Sequence, residues 1–223
     1  VPIMYSPYVD FSTTSQRRSG WLLPTAGSTT TSGFETSIPY YFNLSPTHDA
    51  TLTSRYMEKR GLQFDGEFRY LSKNYKGTSE IQYLNKDRDA DIDNRYLLDI
   101  KHQHNFGNGF SGTVEYEKVK SNDNNYFADM STSIAVTSQV SLRQTAHLDY
   151  KKTDDSSDIK GSLKVQEFQN LTSASPYELK PSFNLSYKKD WEDKADQSLF
   201  LQTGADFSYD QFDTGNNAAK NIA

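Results

Sequence analysis

Apolar and polar residues alternate with a period of two along most of this 223-residue chain. In the clearest segment, 62–70, the apolar positions are Leu62, Phe64, Gly66, Phe68 and Tyr70, and the polar ones are Gln63, Asp65, Glu67 and Arg69. The pattern returns at 34–44, 140–150 and 199–210. Successive side chains of a β-strand point to opposite faces, so each segment has one apolar and one polar face. The alternation predicts an all-β fold of antiparallel strands.

Two kinds of connection separate these segments, and they occur in turn along the chain. Short connections rich in Gly, Pro, Asn, Asp and Ser, the residues that tolerate turn geometry, lie at 45–49, 73–77, 106–109, 154–157 and 192–196. Longer polar loops lie at 86–94, 121–139 and 172–180. Short turns at one rim and longer loops at the other describe an up-and-down meander, with about eleven strands from Gly20 onward.

The alternation fits a soluble β-sandwich and also a membrane barrel, which turns its apolar face to lipid and keeps a wet lumen. The chain has 15 Tyr, 13 Phe and 2 Trp, often near segment ends, as in an aromatic girdle. About twenty residues per segment leave room for a spanning strand of roughly 9–11 residues and its connection. These features favour a transmembrane barrel. Eleven is an odd number of strands, whereas bacterial barrels have even numbers, and the chain lacks natural termini. We therefore expect part of a larger barrel.

Composition argues against several classes of function. The net charge of −5 disfavours a nucleic-acid partner, because such proteins carry a basic surplus. The chain has no Cys, which removes thiolate catalysis and cysteine-ligated metals. No motif singles out a nucleophile, and no phosphate-binding loop is present. We therefore expect neither an enzyme nor a cofactor.

The first seventy residues carry a series of motifs that resembles one protein family. In order, the motifs are Val1-Pro2, Tyr5-Ser6-Pro7, Arg17-Arg18-Ser19-Gly20, Pro39-Tyr40-Tyr41, Asp49-Ala50-Thr51, Arg60-Gly61 and Glu67-Phe68-Arg69-Tyr70-Leu71. The series resembles the LPS-assembly family LptD of Gram-negative outer membranes, from the last strand of its periplasmic β-jelly-roll domain into its barrel. Beyond about residue 72 the likeness lies in the rhythm of strands and turns.

The resemblance implies a division of the chain and a function. Residues 1–19 would end the jelly roll and form the junction, and residues 20–223 would be the N-terminal part of the barrel. The family inserts lipopolysaccharide into the outer leaflet through a lateral gate in the barrel wall. Its implied partners are lipopolysaccharide, the plug lipoprotein LptE, and the periplasmic bridge protein LptA at the jelly roll. The alternative is a passive porin-type diffusion channel, which shares the alternation but keeps a sealed wall.

Two prolines lie inside the first two predicted barrel strands, 20–31 and 34–44. Proline has no N–H to donate to a β-ladder and belongs at edges or bulges. Pro24 and Pro39 should therefore weaken strand pairing at the start of the barrel. The resemblance assigns two prolines at this spacing to the lateral gate, whereas edge prolines that only discourage aggregation are the alternative.

Charged residues supply two further candidate sites. The polar face should line a wet lumen, and its expected charged members are Glu35, Asp65, Glu67, Arg69, Arg143 and Asp149. Arg17 and Arg18 are candidates for contact with lipid phosphate, because a guanidinium group binds phosphate bidentately. A charged turn that ends a strand is the alternative for these two arginines.

Two patterns resemble metal sites. Asp87, Asp89, Asp91 and Asp93 alternate and offer oxygen ligands to a divalent cation, but the Gly and Glu of a calcium loop are missing, so a solvated acidic loop is favoured. His102 and His104 share one face of a strand beside a short turn. We interpret them as interfacial histidines at the periplasmic rim rather than as metal ligands.

Overall fold

The computed structural model describes residues 17–130, 141–154, 157–171, 178–192, 200–213 and 218–222. The strands are β1 (Gly20–Trp21), β2 (Thr25–Thr29), β3 (Gly33–Ser45), β4 (His48–Met57), β5 (Gly61–Leu71), β6 (Tyr75–Asp87), β7 (Ile92–Gly107), β8 (Phe110–Val119), β9 (Ser141–Asp154), β10 (Ser157–Asn170), β11 (Glu178–Glu192), β12 (Phe200–Asp213) and β13 (Ala218–Ile222). One short helix, α1 (Tyr126–Met130), lies between β8 and β9. In these ranges no helix is long and apolar enough to cross a membrane.

All thirteen strands join one antiparallel sheet. From β3 to β13 each strand pairs with the next one along the chain, while β1 and β2 both pair with β3 at one edge. The predicted all-β antiparallel meander is confirmed. The domain boundary at residue 19 stays a prediction, because residues 1–16 lie outside the described ranges, although the first strand does begin at Gly20.

The register extends the alternation into two continuous faces. Between β4 and β5, for example, Ala50 lies opposite Phe68, and one step along Asp49 lies opposite Arg69. We call the face that contains Phe68 the outer face and the face that contains Arg69 the inner face. The outer face carries exposed large apolar side chains, among them Phe42, Leu52, Phe64, Phe68, Ile81, Val114, Leu148, Leu163, Val165 and Leu185. A wall that meets lipid requires such a surface, whereas a soluble sheet would bury it.

The first predicted strand, 20–31, is not continuous. β1 ends at Trp21 and β2 begins at Thr25, so the backbone of 22–24 is not in a strand. Pro24 lies in this interruption. The physical reason is that proline has no N–H to donate to the ladder and is accommodated at edges or bulges.

The connections alternate between two rims, as the sequence predicts, but in the described residues only the connection between β8 and β9 is long. Turns 46–47, 72–74 and 108–109 form what we call the short-turn rim. At the opposite, long-loop rim, β6 and β7 extend into the predicted loop 86–94 and leave only a four-residue turn, 88–91. Loop 121–139 contains α1, and its remaining residues after Met130 lie outside the described ranges.

Buried apolar side chains gather at the long-loop rim rather than between two sheets. The cluster consists of Met57, Leu84, Leu97, Val119, Tyr126, Phe127, Met130, Leu142 and Leu171. Three of them belong to α1, which therefore packs against the ends of the strands. The hydroxyl of Tyr126 donates to Oε1 of Gln82 on the inner face at 2.9 Å, which places α1 over that face.

Substitutions at adjacent positions of β4 test which face meets lipid. Leu52 is on the outer face, and Thr51 is on the inner face opposite Glu67. We expect Leu52→Arg to lower the free energy of unfolding by about 2–4 kcal/mol, the cost of a guanidinium near the bilayer midplane. As the control at the same height, Thr51→Arg should cost less than about 1 kcal/mol, because its charge stays in water beside a carboxylate. Urea unfolding of the full-length protein in lipid vesicles measures both, and equal losses would contradict the assignment of faces.

Candidate functional site

The contact of β1 and β2 with β3, which we call the proline junction, contains a register shift. Trp21 lies opposite Tyr40, whereas Thr25 lies opposite Ser37. Three residues, 22–24, therefore face only two on β3, which is a one-residue bulge. Such a bulge leaves part of the ladder unpaired and locally weakens the attachment of the first strand.

Both prolines withhold donors from this same junction. The N–H of Leu22 donates to the carbonyl oxygen of Pro39 at 3.0 Å. In an antiparallel strand the N–H and C=O of one residue point to the same neighbour, so the donor that Pro39 lacks would have faced β1 rather than β4. Pro24 lies in the interruption, next to Thr25, which is opposite Ser37. Both prolines therefore lie at the same junction, a few residues apart along it.

Apolar side chains surround the interruption. Trp21 and Leu23 are 72% and 75% exposed, and Leu22 is exposed as well. The ring of Trp21 meets the ring of Tyr40 edge-on, with 4.9 Å between the centroids. The interrupted part of the wall therefore presents an apolar surface.

The register places all the predicted lumen residues on the inner face, and these are Glu35, Asp65, Glu67, Arg69, Arg143 and Asp149. The charges of Glu35, Arg69 and Arg143 are compensated by neighbours on adjacent strands. Nη2 of Arg55 lies 2.6 Å from Oε2 of Glu35, and Nη1 of Arg143 lies 3.5 Å from Oε2 of Glu115. The inner face is therefore charged, mixed in sign and cross-linked by ion pairs.

A buried ion-pair cluster at the long-loop rim was missed in the sequence. Arg95 is fully buried, and its Nε and Nη2 donate to Asp123 at 2.7 and 2.8 Å. Its Nη1 donates to Asp87 and, at 3.0 Å, to Asp129. Arg60 also binds Asp87 and Asp129, at 2.7 and 3.1 Å. We call these five residues the ion cluster.

The ion cluster fastens the connection that carries α1 to the inner face. Three of its members come from the sheet side, namely Arg60 in the turn before β5, Asp87 at the end of β6 and Arg95 near the start of β7. The other two come from the connection, Asp123 just before α1 and Asp129 within it. Nη1 of Arg55 adds a bond to the carbonyl oxygen of Met130 at 2.8 Å. Burial raises the pKa of Tyr126 well above its usual value, so its hydroxyl stays protonated and donates to Gln82. One signal in the sequence was the aromatic pair Tyr126-Phe127 directly after the polar run 121–125.

The four alternating carboxylates do not form a cation site. Asp87 belongs to the ion cluster, and its Oδ1 accepts the N–H groups of Asp89 and Ala90, which tightens the turn. Asp91 and Asp93 lie apart from this network, and no group of three or more carboxylates or histidines in the described ranges is arranged to hold a metal. The solvated-loop interpretation is also wrong for Asp87, because two guanidinium groups take the place of water.

The remaining candidates lie at the short-turn rim. Nη1 of Arg17 donates to Oδ2 of Asp49 at 3.0 Å, and Arg18 is exposed. His102 and His104 lie on the outer face as predicted, with Nδ1 of His102 2.7 Å from the hydroxyl of Tyr70. These positions suit a membrane interface, where aromatic rings and histidines border the apolar wall.

An antiparallel meander with an exposed apolar face, a charged inner face and aromatic borders is the wall of an outer-membrane β-barrel protein. Comparison with known families identifies which one. The family model described as LPS transport system D, LptD, matches residues 93–222, more than half of the chain. The chain belongs to the LptD family, as its first seventy residues predict. The predicted location in the outer membrane of a Gram-negative bacterium is thereby confirmed.

Relatives named LPS-assembly protein LptD match over most of the chain. The protein of Paraburkholderia xenovorans is 40% identical over 220 residues, which cover 94% of this chain and 27% of the relative. That of Nitrosomonas eutropha is 37% identical over 195 residues, covering 85% and 26%. The chain thus spans about a quarter of the length of these relatives. The outer membrane channel DcaP of Acinetobacter baumannii aligns with a TM-score of 0.35 at 10% identity, covering 91% of this chain and 68% of DcaP, too distant to add to the assignment.

Breaking the ion cluster should release α1 from the inner face. Arg95→Gln leaves the buried carboxylates without their main partner, and we expect a loss of about 3–5 kcal/mol in local stability. Hydrogen exchange of residues 120–130 in the full-length protein measures it. The control is Lys86→Gln, which breaks an exposed 3.7 Å pair with Asp91 and should cost under about 1 kcal/mol. Unchanged protection in Arg95→Gln would show that α1 is held by its apolar contacts alone.

Proposed function

We propose that this chain forms the gated part of the wall of a lipopolysaccharide exporter and that the wall opens beside the proline junction. The name of the relatives, LPS-assembly protein, suggests lipopolysaccharide as the cargo. The observation that carries the gate is that Pro24 and Pro39 both lie at the proline junction, Pro39 where it accepts from Leu22 and Pro24 in the interruption between β1 and β2. The bulge between β1 and β2 supports the same conclusion.

The physical basis of the gate is the cost of breaking a wall in lipid. Each backbone group left without a partner in hydrocarbon costs several kcal/mol, which keeps an ordinary barrel seam closed. Each hydrogen bond that a proline prevents from forming removes roughly 0.5–1.5 kcal/mol of net attachment. The first strand can therefore move at lower cost than any strand bonded on both sides. Acyl chains would leave across Trp21, Leu22 and Leu23, while the saccharide follows the charged inner face.

The inner face also supports the proposed partners. A lumen of mixed sign fits a protein plug of the LptE type better than it fits a pore selective for one sign of charge. LptA would act upstream, through a jelly roll that ends near residue 19. Arg17 and Arg18 lie between the jelly roll and the barrel, where they would meet the phosphates of the arriving lipid. No step makes or breaks a covalent bond, so the proposed role is transport without enzymatic chemistry.

A passive porin is the rival function, and α1 argues against it. A porin needs an open lumen, whereas α1 and the ion cluster cover the inner face at the long-loop rim. Steady ion conductance in planar bilayers, with no cross-link between lipopolysaccharide and the proline junction, would favour the porin.

Restoring the missing donors should slow export. The variant Pro24→Ala with Pro39→Ala returns two N–H groups to the proline junction, and we expect tighter closure and export slowed several-fold. The rate at which newly made lipopolysaccharide reaches the cell surface measures this. Pro181→Ala, a proline in β11 beside a bulge far from the junction, is the matched control and should leave the rate unchanged. Normal export in the double variant would count against the gate.

A further inference from the structure

A cavity of about 500 Å³ opens on the inner face at the short-turn rim. Four cationic side chains and one acidic side chain line it, and they are Arg17, Arg69, Lys76, Lys101 and Asp49. The remaining lining includes the polar side chains of Thr78 and Gln103 and the exposed apolar side chain of Leu71. The cavity is therefore basic, with an apolar wall, and Arg17 is the one cation of its lining that has a role in the proposed function.

Asp49 holds two guanidinium groups in place at the edge of this cavity. Its Oδ2 accepts from Nη1 of Arg17 at 3.0 Å, and its Oδ1 accepts from Nε of Arg69 at 2.7 Å. The hydroxyl of Tyr41 donates to the same carboxylate at 3.2 Å, and the side chain of Asp49 is only 7% exposed. Each guanidinium has five N–H donors, so most of them remain for a ligand. The side chains of Arg17 and Arg69 are 63% and 50% exposed, which leaves those donors accessible.

Two lysines on neighbouring strands complete the basic lining. Lys76 on β6 lies opposite Gln103 on β7, and Thr78 lies opposite Lys101 one step further from the rim. Nζ of Lys101 is 2.7 Å from Asp99, an ion pair at the cavity's far side. Lys76 is exposed at the mouth. The cations thus come from three strands and from the residues before β1, and they converge on one space.

A row of acids limits how far an anion can move from this cavity toward the middle of the inner face. One step beyond Arg69 and Lys101, four carboxylates lie side by side across β5 to β8, and they are Glu67, Glu80, Asp99 and Glu117. Like charges repel at this spacing, and the water of a lumen screens them only in part. An anionic group entering from the short-turn rim is therefore attracted by the cations and stopped by the acids.

We infer that this cavity binds a phosphate group carried on a saccharide as it enters the inner face from the short-turn rim. Guanidinium forks recognise phosphate oxygens bidentately, and the lysines add point charges. The exposed side chain of Leu71 offers an apolar surface on which the sugar ring can rest. The position on the inner face favours a phosphorylated saccharide over a phospholipid headgroup, which would lie on the outer face. This inference deepens the proposed function and rests on it, because it names the part of the cargo that the cavity holds.

Photo-cross-linking in the full-length protein tests the site. One photo-reactive residue replaces Gln103 in the cavity, and a second, in a separate protein, replaces Leu23 at the proline junction. With lipopolysaccharide as the probe, we expect labelling at both positions. Lys76→Gln with Lys101→Gln should reduce labelling at position 103 at least about tenfold, because two charge-assisted contacts are lost. The control pair Lys73→Gln with Lys152→Gln removes the same charge outside the cavity and should leave labelling unchanged.

Vesicles of different composition separate the possible sources of the phosphate. We expect labelling at position 103 with intact lipopolysaccharide, and little with dephosphorylated lipopolysaccharide or with phosphatidylglycerol. Equal labelling by the dephosphorylated form would overturn phosphate recognition, and equal labelling by phosphatidylglycerol would overturn the saccharide assignment. Labelling at position 23 without labelling at position 103 would overturn this inference alone. Absence of labelling at both positions would overturn the proposed function as well.

Discussion

A strand in hydrocarbon must find a partner for every N–H and C=O, and this requirement organises the whole chain. It explains why β3 to β13 form one antiparallel sheet in which each strand bonds to its neighbours in sequence. It also explains why two prolines matter. Pro24 and Pro39 both lack this donor, and both lie at one edge of the described sheet.

Backbone pairing leaves the side chains of the two faces of the sheet free to differ. The outer face is apolar and needs only to match lipid, whereas the inner face is organised by charge along its height. The ion cluster holds α1 at the long-loop rim, a row of acids crosses the middle, and cations line a cavity at the short-turn rim. An anionic cargo would therefore meet attraction where it enters and repulsion further on.

The strands and the residues on each face could largely be predicted from the sequence, because alternation with a period of two is typical of a β-strand with one apolar face. The alternation at 62–70 assigned Asp65, Glu67 and Arg69 to the inner face before any register was known, and the register agrees. The interruption at 22–24 and the roles of Arg60 and Arg95 could not be predicted. A bulge depends on how two strands align, and an ion pair depends on turns that are distant in sequence.

The sequence by itself determined the strands, their two faces, the rims and the family, because all of these follow from local alternation, turn residues and motifs. Only the tertiary structure decided that both prolines face one junction, that Asp87 is a buried anchor rather than a solvated acid, and that Arg17 and Arg69 share Asp49. The reason is that hydrogen-bond direction and charge pairing across strands are set by register, which no single segment of the chain contains.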